Sequence, residues 1–198
     1  MKVFKIFVLF CFVFFQQDKN FNYVEKDESI FFEEENIDSS FLLQDIKTDL
    51  LFINRKTEQS LDSIKYIVIH YTANNKKGAD ALAHKNYFDK TKRKASVHYV
   101  VDDVRCVQLL PDSLVSWCCG DHYYNHNSIS IEMCFGGGRD SLKIIRNTQD
   151  KVDELLKKYG LFLDAVKRHY DVTGKLCPLP LVDETKWSIF LGEISSFR

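Results

Sequence analysis

Lys65-Tyr66-Ile67-Val68-Ile69-His70-Tyr71-Thr72 decides the fold. The stretch is β-branched and aromatic, nearly all apolar, and shows no alternation of polar residues. That pattern belongs to a strand buried on both faces, which requires a sheet covered by helices. His70, near its end, does not fit an apolar interior. A histidine there is costly unless its ring nitrogens are satisfied. The run then turns polar at Ala73-Asn74.

The neighbouring segments agree with a helix-covered sheet. Ala79 to Phe88 carries Ala79, Leu82, Ala83, Tyr87 and Phe88 at helical spacing. Ser96 to Val101 alternates as a strand, Asp102-Asp103 makes a turn, and Val104 to Leu110 returns as the second arm of a hairpin closed by Pro111. Leu114 to Trp117 is a short apolar piece leading to Cys118-Cys119-Gly120. Asp121 to Asn127, with His122 and His126, reads as a polar loop. Ser128 to Phe135 is another strand, ended by Gly136-Gly137-Gly138. Asn147 to Tyr159 is an amphipathic helix, capped by Asn147 or Thr148 and stopped by Gly160. Phe162 to Val166 leads into the segment from Arg168 to Pro178. Asp183 to Ile194 is a last helix that turns Trp187, Phe190, Leu191 and Ile194 inward. Helices interleaved with strands, plus one hairpin, predict an α/β fold: a single domain with a central mixed β-sheet flanked by helices. No internal repeat is visible.

The ends of the chain differ in character. Lys2 and Lys5 precede the apolar run Ile6 to Phe15, after which Gln16-Gln17-Asp18-Lys19 turns polar. Residues 1–17 therefore read as a secretory signal, with retention as an uncleaved N-terminal anchor left open. The run is short for a membrane span. Residues 18–44 are acidic, broken by aromatics and without a persistent period, and read as a disordered tether. The folded domain is expected over 45–198. Of the 198 residues, the first 49 hold five of 27 basic and ten of 28 acidic side chains, leaving 22 against 18 for the rest. An excess this small gives no ground for a nucleic-acid partner. Cys106, Cys118, Cys119 and Cys134 show neither a disulfide framework nor finger spacing, so pairs and buried free thiols are equally compatible with the sequence.

Arg168-His169-Tyr170-Asp171-Val172-Thr173-Gly174-Lys175-Leu176-Cys177-Pro178 packs a histidine, a lysine and a cysteine into one turn-rich segment. Histidine and cysteine are common zinc ligands. Asp171, Gly174 and Pro178 predict a rigid loop. His70, at the end of the buried strand, is the natural third ligand. Taken alone it would be a hydrogen-bonded core histidine; the pair His169 and Cys177 turns it towards metal. Three protein ligands leave an open position, the arrangement of catalytic rather than structural zinc. Within Ser128 to Phe135, alternation puts Ser130, Glu132 and Cys134 on one face. A carboxylate in such a strand is either an edge-strand surface group or a general base in a polar pocket, and Glu132 is assigned to the second role. Lys175, between two proposed ligands, is either an exposed loop lysine or a cation for a developing oxyanion.

These residues carry a resemblance. YIVIHYTAN (66–74), SVHYVVDD (96–103), NSISIEMC (127–134) and RHYDVTGKLCP (168–178) are similar, in order and spacing, to the zinc-dependent N-acetylmuramoyl-L-alanine amidases, a peptidoglycan-cleaving family related to peptidoglycan recognition proteins and phage endolysins. The similarity covers about residues 45–195. It implies a groove for the glycan–peptide strand and hydrolysis of the amide between the muramoyl lactyl group and L-alanine. It carries one zinc ion to His70, His169 and Cys177, and catalytic roles to Glu132, Lys175 and Tyr99. Asn74, Trp117 and Thr173 are assigned to substrate contacts. Where the family reads Trp-His-x-Gly, this chain has Trp117-Cys118-Cys119-Gly120, and Cys118 becomes either an extra ligand or a disulfide partner. His84 and His98 are expected to be structural hydrogen-bonders. An exported monomeric amidase acting on peptidoglycan is the expectation; a non-catalytic peptidoglycan recognition module is the alternative.

Overall fold

The structure, a computed structural model, describes residues 48–50 and 59–194. The apolar N-terminal run and the acidic stretch at 18–44 lie outside these residues. Six strands make one sheet: β1 (Thr48–Leu50), β2 (Tyr66–Tyr71), β3 (Tyr99–Val101), β4 (Cys106–Gln108), β5 (Ser128–Met133) and β6 (Val166–Arg168), in the order β1-β4-β3-β5-β2-β6. Among these pairs only β3 and β4, the two arms of the hairpin, run antiparallel. The sheet is therefore mixed. The helices are α1 (Ala81–Lys90), α2 (His122–Asn127), α3 (Ser141–Tyr159), α4 (His169–Thr173) and α5 (Glu184–Gly192).

β2 lies between β5 and β6, and Ile67, Val68 and Ile69 are fully buried. That is why its sequence shows no alternation. Burying side chains of this size stabilises by roughly 1.5–3 kcal/mol each. Residues paired directly across a sheet share a face. His70 pairs with Glu132, and Val100 pairs with Glu132 from the other side. Ile69 pairs with Ile131 and with Arg168, while Tyr99 pairs with Ile131. So His70, Val100 and Glu132 occupy one face, and Ile69, Tyr99, Ile131 and Arg168 the other. Helix α3 covers the Tyr99 face: its Lys151 ammonium lies 5.1 Å from the centre of the Tyr99 ring. Helix α1 covers part of the Glu132 face, packing Ala81 and Phe88 in a cluster with Val97, Val100, Val107 and Leu109.

Three segments differ from their sequence reading. Residues 122–127, expected as a loop, form α2. Asp121 caps it by accepting from the Tyr124 amide. Its buried residues are Asn125, His126 and Asn127, so its inward face is polar and no apolar stripe announces it. Helix α3 starts at Ser141, not Asn147, because Asp140 is the cap. Asn147 instead donates to the Asp102 carbonyl, and the Thr148 hydroxyl donates back to the Ile144 carbonyl. The expected loop after Arg168 begins as the short helix α4 and ends at Gly174, whose φ of 76° is readily reached without a Cβ.

Candidate active site and metal centre

The C-terminal end of β2 presents His70, and the end of β6 hands the chain to α4, whose first residue is His169. The α4 segment is pinned from below by Arg168. That buried guanidinium donates to Asp171 and to Glu184, both at 2.7 Å, and to the Leu181 and Val182 carbonyls. Cys177 is returned to the same place by a hydrogen bond from the Tyr170 amide to its carbonyl, 2.8 Å. The conformation of the segment is thus set by polar contacts on the far side of the sheet.

The three side chains converge. His70 Nδ1 and His169 Nδ1 are 3.1 Å apart, and Cys177 Sγ is 3.9 Å from His70 Nδ1. The three donor atoms all lie within 4.8 Å of one another, and all three residues are buried. Tetrahedral zinc bonds of ~2.0–2.1 Å to nitrogen and ~2.3 Å to sulfur separate two nitrogens by about 3.3 Å and a nitrogen and sulfur by about 3.6 Å. The donor set fits such an ion in both chemistry and spacing. Burial, and then the charges of His70 and Lys175, push the His169 ring down to about 4. Burial also opposes charge on His70, but Cys118, Cys177 and Glu132 together outweigh it and draw that ring up.

The outer nitrogens of both rings meet one dipeptide. His70 Nε2 is 3.8 Å from Cys119 Sγ, and the Cys119 backbone lies close enough to the His169 ring to favour its charged form. Gly120 closes the wall with φ 67°. A Cβ there would sit 3.6 Å from His169 Nε2 and 3.6 Å from Thr173 Cγ2. Sequence reading did not assign Cys119 or Gly120. Their one signal is position: they directly follow Trp117-Cys118, where the resemblance already marked a departure.

Glu132 lies across the β2–β5 ladder from His70. Its Oε2 is buried and has no hydrogen-bond partner among the described residues. Burial, reinforced by Cys118, lifts its carboxyl to about 7, against the opposing charges of His70 and Lys175. A carboxyl poised near neutrality beside a cluster of metal-type donors is suited to accepting and returning a proton. Lys175 is exposed on the following loop, with its charge reaching Glu132 and His169. Thr173 is exposed at the end of α4, and its hydroxyl lies 3.4 Å from the His169 carbonyl. Half-buried Trp117 carries the Lys94 ammonium 3.6 Å from its ring centre. Asn74 accepts from the Lys76 amide in the loop after β2.

Tyr99 is a correction. Its hydroxyl donates to Asp112 at 2.6 Å, on the α3 side of the sheet, opposite Glu132. It cannot touch a substrate bound at His70. The β3 residue paired with Glu132 is Val100. His98 and His84 are hydrogen-bonded as expected. His98 pairs with the Ser130 hydroxyl at 3.1 Å and the Leu114 carbonyl at 2.8 Å, while His84 meets the Asp80 carbonyl at 2.8 Å. All five described cysteines are free thiols.

Comparison with known proteins agrees with this geometry. The family model described as N-acetylmuramoyl-L-alanine amidase matches residues 60–180. The chain is 37% identical over 153 residues to a probable N-acetylmuramoyl-L-alanine amidase of Bacillus licheniformis, covering 70% of this chain and 41% of that protein. It is also 37% identical over 134 residues to the N-acetylmuramoyl-L-alanine amidase CwlH of Bacillus subtilis, covering 66% of this chain and 53% of that one. It therefore spans about half the length of these curated relatives. The solved catalytic domain of XlyA superposes with a TM-score of 0.70 at 32% identity, covering 75% of this chain and 99% of that domain. By sequence and fold alike, the chain belongs to the N-acetylmuramoyl-L-alanine amidase family.

Proposed function

We propose that this chain is an exported, zinc-dependent amidase that cleaves the bond between the N-acetylmuramoyl lactyl group and L-alanine in peptidoglycan. The observation that carries the proposal is the half-buried Glu132, whose Oε2 is buried and without a partner among the described residues, set beside the convergent donors of His70, His169 and Cys177. Zinc would be held by Nδ1 of each histidine and by Sγ of Cys177. When bound there, the ion supplies Lewis acidity for the scissile carbonyl and for the attacking water.

The chain's own residues do the rest. Glu132 takes the proton from the attacking water and returns it to the leaving amine of L-alanine, a role worth typically ~10²–10⁴-fold. Lys175 lends positive charge to the carbonyl oxygen as it becomes an oxyanion. Cys119 and Gly120 hold the histidine rings from behind, as the outer contacts of metal-binding histidines do. Asn74, Trp117 and Thr173 are the proposed contacts to the glycan–peptide strand. Export rests on the apolar run Ile6 to Phe15 behind Lys2 and Lys5, followed by a tether over 18–44 and a catalytic domain over 45–198, acting as a monomer. A recognition module without catalysis is the weaker reading, since such a module needs neither the complete donor set nor an unpaired carboxylate.

Digestion of purified cell-wall sacculi tests the activity. The expected products are soluble peptides with new L-alanine N-termini, and a chelator abolishes their release. New reducing sugar ends in place of L-alanine N-termini contradict an amidase.

A further inference from the structure

His70 belongs to two clusters of potential ligands. Its Nδ1 faces His169 and Cys177, while its Nε2 faces a second set made of Cys118 and Cys119. The sulfur atoms of Cys118 and Cys119 lie 3.7 Å apart, and Cys119 Sγ lies 3.8 Å from His70 Nε2. A tetrahedral thiophilic ion with bonds of ~2.3 Å to sulfur separates two sulfurs by about 3.8 Å, and separates sulfur from an imidazole nitrogen by about 3.6 Å. A disulfide would bring the sulfurs to ~2.05 Å. The pair stands at ligand spacing.

The arrangement is built by its surroundings. Side chains of consecutive residues normally diverge. Here the buried Asn125 on α2 accepts from both the Cys118 amide, at 3.2 Å, and the Cys119 amide, at 3.0 Å. That double contact folds the dipeptide over one acceptor and turns both thiols toward His70. Hydroxyls flank the sulfurs as outer partners: Ser116 Oγ is 3.5 Å from Cys118 Sγ, and Ser128 Oγ is 3.8 Å from Cys119 Sγ. Cys118 is half-buried and gives an ion a way in, whereas Cys119 and His70 are buried. Cys106 and Cys134, by contrast, are fully buried in the core.

We propose that Cys118, Cys119 and His70 Nε2 form a second cation site for a soft, thiophilic ion of the zinc, cadmium or monovalent copper class, back to back with the catalytic donor set across the His70 ring. It goes beyond the proposed amidase activity and shares with that site the His70 ring, together with Cys119 lying behind it. A divalent ion at this site displaces the thiol protons of Cys118 and Cys119. With both sites filled, it also displaces the Nε2 proton of His70, whose imidazolate then bridges two ions. No electron transfer is involved.

Metal titration of the chelator-stripped full chain with cobalt(II) and cadmium(II), with bound metal counted by mass spectrometry, tests this. The wild type is expected to bind two equivalents. The second adds thiolate-to-cobalt absorption of about twice the intensity of the first, because two sulfurs replace one. Cys118→Ser with Cys119→Ser is expected to bind one equivalent, and Cys177→Ser also one, each at the surviving site. A single equivalent that survives the double substitution and is lost in Cys177→Ser overturns the second site while leaving the catalytic one intact. A single equivalent with the opposite pattern upholds the second site and overturns the catalytic donor set. Should the double variant melt at a markedly lower temperature, Cys118→Ala at the half-buried position gives the same readout, with the second equivalent weakened at least tenfold. A disulfide between Cys118 and Cys119 in the purified protein, persisting together with loss of the second equivalent, also overturns the proposal.

Discussion

The two faces of the sheet both bury charged groups, and they treat them in opposite ways. On the α3 face, Asp112 accepts from Tyr99 and Gln108 at one oxygen and from Lys158 and Tyr159 at the other. Arg168 on that face is likewise shared between two carboxylates and two carbonyls. On the opposite face, Glu132 Oε2 has no partner among the described residues, and the ring nitrogens of His70 and His169 point at each other. The pKa shifts follow. Donors from Lys158, Tyr159 and Tyr99 overcome burial and hold Asp112 below the usual carboxylate range, whereas burial wins at Glu132 and lifts it to about 7. A satisfied buried network stabilises a fold; an unsatisfied one costs stability and persists where a ligand or a reaction completes it.

The contrast can be broken from either side. The largest expected effect is His169→Ala, which removes one donor from the convergent set. Bound zinc should fall by one per chain, and product release should drop on the order of 10³-fold, since metal polarisation supplies several kcal/mol. Asp112→Ala should do the reverse. It strands the Lys158 ammonium and the Tyr99 and Tyr159 hydroxyls, so denaturant unfolding should show a loss of about 3 kcal/mol, with turnover per folded molecule unchanged.

The pH dependence of stability in metal-free protein should carry both signs. A carboxyl raised in the folded state keeps its proton there longer than in the unfolded chain. Glu132 therefore lowers stability progressively as pH rises from 4.5 to about 7, by on the order of 3 kcal/mol. His169, pushed down to about 4, contributes the opposite sign over much of the same window, so Glu132→Gln should turn the slope there towards stability rising with pH. Asp112, with its depressed value, contributes stability above its ordinary range that disappears as pH falls through its folded value. An unchanged slope in Glu132→Gln would mean that Glu132 is not the group responsible.

Smaller effects sharpen the same division. Lys175→Met should cut turnover about tenfold with zinc retained, because an exposed cation stabilises an oxyanion less than a buried donor does. Tyr99→Phe should lower stability by about 1 kcal/mol, Asp112 keeping its remaining donors, and should leave turnover unchanged. A fall in turnover with Tyr99→Phe would put the tyrosine back among the catalytic residues.

Much of this was legible in the chain, and the rest was hidden for identifiable reasons. Tyr66 to Tyr71 announced a doubly buried strand because burial on both faces removes alternation. The hairpin of β3 and β4 followed from Asp102-Asp103 and Pro111. The donor set was visible because His169 and Cys177 sit close together, and His70 stands out against apolar neighbours. What a single strand cannot reveal is which face it shares with its neighbour. Alternation put Ser130 and Glu132 together, but the phase of β3 relative to β5 is set by pairing, and Tyr99 fell on the far side. Helix α2 was hidden because its buried face is polar and spent on Asn125 and Asn127 contacts. The role of Cys119 depends on a fold-back that Asn125 imposes from six residues away in sequence.

The central claim is that the partnerless carboxylate of Glu132 performs the proton transfers while the His70–His169–Cys177 set holds the metal independently of it. Bound zinc and release of L-alanine N-termini from sacculi, measured on the same sample of Glu132→Gln, test it most directly. The expected result is a full zinc complement with turnover reduced ~10²–10⁴-fold. Wild-type turnover with zinc retained, or loss of the zinc itself, would contradict it.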